Sequence, residues 1–155
     1  MVNVLFVCLG NICRSPMAEA VFRDLVKKEG LADKIHIDSA GTGHWHVGEP
    51  PHRGTLDILT KNNIDTSGLV ARQIRKEDEE TFDYIVVMDE ANERDVRRII
   101  SANPKAEVRR LMDYVDHPVK NVPDPYYTGN FDEVYELITE GCRGLLQHIR
   151  KNESI

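Results

Sequence analysis

Three features of this 155-residue sequence predict an α/β fold. Short apolar runs recur along the chain, amphipathic segments separate them, and the two kinds alternate from end to end. Strands joined through helices pair in parallel by right-handed crossovers, and the helices then cover the sheet. The expected architecture is a four-stranded parallel sheet with helices on both faces. No repeat and no linker interrupts the pattern, so residues 1–155 are expected to form a single domain.

The first element, Val2 to Cys8, is an apolar strand. It runs into a loop holding Gly10 and Asn11, then into a helix opened by Ser15-Pro16. Strand, tight loop and helix N-terminus together can hold an oxyanion on backbone N–H groups. Gly10 and Asn11 tolerate the positive φ that turns such amides inward. The helix dipole, the converging amides and Arg14 all favour a thiolate at Cys8, and the thiolate is the nucleophilic form. Arg14 can grip two phosphoryl oxygens through its planar fork, which Lys cannot do. Pro16 suits a first helical turn, and the Ser15 hydroxyl either caps that helix or donates to the Cys8 sulfur. The expectation is a phosphate-binding loop after the first strand, at the topological switch point of the sheet.

On spacing alone, Cys8 could be a small core residue and Arg14 a surface charge. The preceding strand, the glycine and the Ser-Pro helix start argue against that. A zinc site drawn from Cys8, Cys13, His44 and His46 is a poor alternative, because a cysteine pair on a phosphate-type loop ill suits tetrahedral coordination.

Met17, Ala18, Val21, Phe22, Leu25 and Val26 recur at helical spacing, and Gly30 ends that helix. Ile35 to Ser39 is a short alternating strand before a Gly41-Thr42-Gly43 turn. The loop His44 to Pro51 holds the only tryptophan, Trp45, either a lid over local core or an exposed aromatic wall; His44 and His52 read as plain surface residues. Leu56, Ile58 and Leu59 mark a second helix. An irregular stretch then carries Arg72, read as a surface ion-pair partner, into a short acidic helix at Lys76 to Thr81. Phe82 to Met88 is apolar almost throughout, as a central parallel strand should be. Asp89 is expected to cap the next helix, Ala91 to Ile100, with a supporting contact to the first loop. Arg94, Arg97 and Arg98 form a solvated face. Ala106 to Leu111 is expected to be a last, shorter strand at an edge, and Met112 to Asn121 reads as loop.

In Val122 to Gly129, prolines on both sides of Asp124 stiffen the backbone and remove competing helix. Cleaving a phosphoester demands a proton for the departing oxygen, and a carboxyl on a neighbouring loop can supply it. Asp-Pro is also a common turn; the pairing with the Cys8 loop and with Tyr126 and Tyr127 favours the acid. Asn130 and Glu133 open a long final helix with a buried stripe that includes Cys142, an inert core thiol.

A formal charge of −6 argues against a nucleic-acid partner. Three cysteines make no disulfide framework and suit a reducing compartment. No signal-peptide pattern and no run of membrane-spanning length is visible, so the expected location is cytoplasmic.

Val7-Cys8-Leu9-Gly10-Asn11-Ile12-Cys13-Arg14-Ser15-Pro16 resembles the signature of the low-molecular-weight protein tyrosine phosphatases, and Asp124-Pro125-Tyr126-Tyr127 resembles their general-acid loop. The resemblance spans the whole chain and implies a flavodoxin-like three-layer sandwich. It implies metal-independent hydrolysis of phosphotyrosine and aryl phosphate monoesters through a cysteinyl-phosphate, with no cofactor. Phosphotyrosine-containing proteins or peptides would be the substrates and inorganic phosphate a product. Cys8, Arg14 and Asp124 would be catalytic, and Leu9, Gly10, Asn11, Ile12, Cys13, Arg14 and Ser15 would bind phosphate. Asn11, Ser15 and Ser39 would support the loop, while Trp45, His46, Tyr126 and Tyr127 would border the cleft. Cys13 matches the second loop cysteine, which implies reversible disulfide protection of Cys8. Many relatives carry a histidine supporting the loop asparagine, and the corresponding Thr66 to Val70 has none. Two relatives share the loop. Protein-arginine phosphatases carry Thr where this chain has Ile12, and thioredoxin-coupled arsenate reductases need a further mid-chain cysteine that is absent here. A phosphocarrier module would leave Arg14 and Asp124 without purpose.

Overall fold

In the computed structural model, which describes residues 1–155, strand β1 (Val2–Cys8) lies inside a parallel sheet, between β2 (Ile35–Gly41) and β3 (Tyr84–Val87). An edge strand, β4 (Glu107–Arg110), completes the order β2-β1-β3-β4. Val4, Leu5, Phe6 and Val7 have no solvent exposure, which explains why this strand shows an unbroken apolar run rather than alternation.

The side chains of β1 nevertheless divide by parity between two cores. Val4, Phe6 and Cys8 pack with α1 (Arg14–Lys28), α2 (Arg53–Lys61) and the long C-terminal helix α6 (Phe131–Glu153). Leu5 and Val7 pack on the other face with Val96 of α4 (Glu90–Ile99) and with Phe82, which follows the single-turn α3 (Asp78–Thr81). The three-layer sandwich is as expected. The crossover from β1 runs to β2 and that from β3 runs to β4, in opposite directions, so the residues just after β1 and just after β3 meet at the switch point.

Several boundaries differ from the sequence expectation. β2 runs two residues further, because Gly41 stays in register with Cys8 and bridges Gln73. β3 is shorter than Phe82 to Met88, although both of those residues are buried. Leu111, expected to end β4, and the start of the segment expected to be loop instead form a 3₁₀ turn, Leu111–Tyr114, whose Leu111 and Met112 are wholly buried in the α6-side core. The prolines around Asp124 do not exclude helix either: Pro125 starts a single turn, α5 (Pro125–Thr128), and its fixed φ suits that first position. No helix is long and apolar enough to cross a membrane.

Candidate active site

The loop after β1 turns its carbonyls outward into the scaffold and leaves its amides free. The carbonyl oxygens of Cys8, Leu9 and Ile12 accept from the N–H groups of Thr42, Gly43 and His52 at 2.9, 2.9 and 2.7 Å, and that of Cys13 accepts from Met17 and the Thr55 hydroxyl. The N–H groups of Leu9, Gly10, Asn11, Ile12 and Cys13 donate to no protein acceptor. Consecutive unpartnered amides on a curved loop are a nest for an anion. Asn11 supplies the left-handed kink, at φ 56. Gly10 does not have positive φ, contrary to expectation; its value is space, since a Cβ there would stand 3.2 Å from His46 Cδ2.

Cys8, the last residue of β1, is 3% exposed and lies at the base of this loop. The alternatives for Ser15 resolve in favour of the sulfur. Cys13, not Ser15, is the helix N-cap, and the Ser15 hydroxyl sits 2.9 Å from Cys8 Sγ with its own N–H donating to the same sulfur at 3.4 Å. Asn11 Nδ2 donates to Ser15 Oγ (2.7 Å) and to Ser39 Oγ (3.0 Å). The expected trio of supports is therefore one connected network. It extends to a residue that sequence reading missed: Ser39 Oγ donates to Glu19 Oε1 at 2.6 Å. Glu19 is buried, and burial raises its pKa from 4.5 to about 7, against the Ser39 hydrogen bond; Asp38 adds to the rise while Arg23 and Arg72 oppose it. The clue available in sequence was a lone acid inside the apolar stretch Met17 to Phe22.

The support expected from a histidine comes instead from main chain. Asn11 Oδ1 accepts from the Arg72 N–H at 2.9 Å. Arg72 is not simply a surface ion-pair partner: its side chain, 26% exposed, joins Asp38 (3.1 Å) to nearly buried Asp78 (3.0 Å), and its carbonyl accepts from Gly41 N at 2.8 Å. This pins the irregular stretch against the end of β2, where Asn11 meets it.

Arg14 is 2% exposed. Its Nη1 donates to Asp89 Oδ2 (2.6 Å) and to the Val122 carbonyl (2.9 Å), and its Nη2 reaches Asp124 Oδ2 at 3.5 Å. Its buried Nε has no protein partner. One edge of the guanidinium is thus fixed, and Nε remains a donor for an incoming oxygen. Burial works against the charge, yet the Cys8 sulfur and the carboxylates of Asp89 and Asp124 lift Arg14 above its ordinary value. Asp89 does what was expected of it in both respects, since its other oxygen accepts from Asn92 N at 2.8 Å and caps α4.

A cleft of about 350 Å³ opens over Cys8. It is lined by Leu9, Gly10, Ile12 and Cys13 of the loop, together with Trp45, His46, Asp124, Tyr126 and Tyr127. Trp45, Tyr126 and Tyr127 are all more than half exposed, so Trp45 is a wall and not a lid over core. His46 lies 6.5 Å from the Tyr126 ring and 3.2 Å from Glu49. His52, expected to be plain surface, caps α2 by accepting from Gly54 N (3.0 Å) and stacks on Phe131, with its edge toward Tyr126. Asp124 caps α5 through Tyr126 N at 3.1 Å while its other oxygen faces Arg14. The Cys13 thiol is pushed up to about 12 by burial and by the negative charges of Asp124 and Cys8. Cys142 is buried beneath α1 and its thiol is raised by burial alone. No group of three or more His, Cys, Asp or Glu side chains could hold a metal ion.

Residues 3–155 match the family model described as low molecular weight phosphotyrosine protein phosphatase. The chain is 53% identical over 156 residues to the low molecular weight protein-tyrosine-phosphatase YfkJ of Bacillus subtilis, covering 100% of both chains. It is 44% identical to PtpA of Staphylococcus aureus, covering 100% of this chain and 98% of that one. The crystal structure of YfkJ superposes with a TM-score of 0.95 at 54% identity, covering 98% and 96% of the two chains. That of DARP, the Drosophila arginine phosphatase, superposes at 0.88 with 34% identity and 95% and 97% coverage. A thiol beneath a nest of amides on a doubly wound parallel sheet defines a cysteine-dependent phosphate-handling fold, and this chain belongs to the low molecular weight phosphotyrosine protein phosphatase family.

Proposed function

We propose that this protein is a protein-tyrosine phosphatase that hydrolyses phosphotyrosine and aryl phosphate monoesters in protein or peptide substrates, releasing inorganic phosphate. The observation that carries the reading is the set of unpartnered amides from Leu9 to Cys13 together with the free Arg14 Nε, on the loop that follows Cys8 and lines its cleft. In this reading Cys8 attacks phosphorus in line. The loop amides and Arg14 hold the equatorial oxygens where charge accumulates. Asp124 gives a proton to the departing tyrosine oxygen and then, as carboxylate, takes one from the water that cleaves the cysteinyl-phosphate. The Ser15 hydroxyl supports the sulfur whenever it carries negative charge, as nucleophile and again as leaving group. Residues 1–155 act as a single domain, in the cytoplasm, and a Cys8–Cys13 disulfide protects the nucleophile from irreversible oxidation.

Specificity follows from the cleft. Trp45, Tyr126 and Tyr127 give an aromatic lining suited to a phenyl ring, and Ile12 lines the floor where the resemblance implies Thr in arginine phosphatases. The similarity to DARP keeps phosphoarginine as the second reading. The arsenate reductase reading has no mobile cysteine to use, because Cys142 is wholly buried in α6.

The test is metal-free turnover of phosphotyrosine, phosphoserine and phosphoarginine peptides beside Cys8→Ser. Turnover of phosphotyrosine alone, abolished in Cys8→Ser, is the expected result. A preference for phosphoarginine moves the substrate and keeps the mechanism, and no turnover removes the phosphatase reading.

A further inference from the structure

Trp45 separates two hollows, not one. Behind the cleft over Cys8 lies a second depression of about 270 Å³, bordered by Leu9, Gly43, Trp45 and, from α4, Asp95, Arg98 and Ile99. Leu9 and Trp45 line both. The partition is held in place. The indole packs directly over Gly43, where a Cβ would come within 1.8 Å of Trp45 Cζ3, so any other residue there would push the ring away. Its other neighbour is the His44 ring, stacked at 5.9 Å. The floor is tied to the catalytic loop itself, because Thr42 and Gly43 donate to the carbonyls of Cys8 and Leu9 at 2.9 Å each.

We propose that this depression is a second subsite of the substrate cleft, which takes an apolar side chain flanking phosphotyrosine in a peptide. The proposal deepens the phosphotyrosine reading and rests on it. The occupant follows from position and chemistry. A phosphotyrosine ring in the first cleft leaves its main chain to run out over the rim, and Trp45 is the part of that rim that both hollows share. Leu9, Trp45 and half-buried Ile99 present hydrocarbon to the second hollow. Its only charges, Asp95 and Arg98, face each other at 3.4 Å and so offset one another, which removes a reason to select a charged residue. An apolar side chain therefore gains burial there without stranding a charge.

The experiment measures kcat/KM for phosphotyrosine peptides carrying Leu, Ala or Glu at each of the positions flanking phosphotyrosine. It compares wild type with Ile99→Ala and Arg98→Leu, and follows wild-type turnover of p-nitrophenyl phosphate in parallel. The expected result is one position at which Leu exceeds Ala by about 5- to 20-fold, the size for partial burial of an aliphatic side chain. That Leu-to-Ala ratio falls toward one in Ile99→Ala and is kept or raised in Arg98→Leu. Because the readout is a ratio within each variant, a loss of folded enzyme does not mimic it. No apolar preference at any position, or one that survives Ile99→Ala, overturns the subsite. A preference for Glu that vanishes in Arg98→Leu overturns it in favour of charge recognition. Turnover of p-nitrophenyl phosphate with no side-chain preference leaves the phosphatase reading standing and removes only the subsite, whereas no turnover of any substrate removes both.

Discussion

Asp89 holds Arg14 with one carboxylate oxygen, at 2.6 Å from Nη1, and the start of α4 with the other, at 2.8 Å from Asn92 N. The guanidinium, itself in the first turn of α1, is thereby referenced to the end of β3, and the two sides of the switch point become one rigid unit.

Substitution at Asp89 should separate these two roles. Asp89→Asn keeps a good cap and loses the charge that offsets buried Arg14, so it should destabilise through the ion pair alone. Asp89→Ala should cost about 1 kcal/mol more through the lost cap. Both should lower kcat/KM for an aryl phosphate by about 10- to 100-fold, the penalty for a misplaced catalytic group. Thermal melts beside steady-state kinetics check this, and wild-type kinetics in Asp89→Asn would show that Val122 alone suffices to place Arg14.

Asp124→Ala should slow turnover by about 10²- to 10³-fold on a phosphotyrosine peptide, whose leaving group needs a proton. The loss should be much smaller on an aryl ester with an acidic leaving phenol. Equal losses on the two would assign Asp124 to structure, through its cap on Tyr126 N, instead of to acid catalysis.

Glu19 should make stability fall with rising pH. Its carboxyl keeps its proton up to about 7 in the folded protein, against an ordinary value of 4.5. Between these values the folded chain binds more protons than the unfolded one, so each step up in pH favours unfolding. The full difference is worth about 3 kcal/mol, complete only above the folded value and absent below the ordinary one. Denaturant unfolding from pH 4 upward should show this slope, and Glu19→Gln should flatten it. The same variant keeps an oxygen for Ser39 and so preserves the network that reaches Asn11.

Cys13 should resist alkylation in the folded enzyme at neutral pH, since burial and the charges of Asp124 and Cys8 push its thiol up to about 12. Peptide mapping after limited iodoacetate treatment should find label at Cys8 and not at Cys13, and inorganic phosphate should slow the labelling of Cys8. After peroxide treatment, Cys13→Ser should recover less activity on reduction than wild type, because no disulfide intercepts the sulfenic acid. Equal recovery would remove the protective role.

The sequence by itself determined the sheet and the chemistry. Apolar runs at Val2 to Cys8 and around Ile85 are local patterns forced by burial on both faces, and Cys8, Arg14 and Asp124 stand out only through their local setting of strand, glycine loop, Ser-Pro helix start and flanking prolines. Tertiary structure decided which partner each of these groups takes. Ser15 could cap or donate, and only the approach of α1 to the end of β1 set its hydroxyl at 2.9 Å from the sulfur. Arg72 and His52 looked like ordinary surface residues, and Glu19 was missed, because their partners, Asn11, Phe131 and Ser39, lie 20 or more residues away along the chain. Periodicity reports which face of an element is buried. It carries no record of what that face meets, since hydrogen-bond partners across a sheet are chosen by register and crossover, and those exist only once the chain has closed on itself.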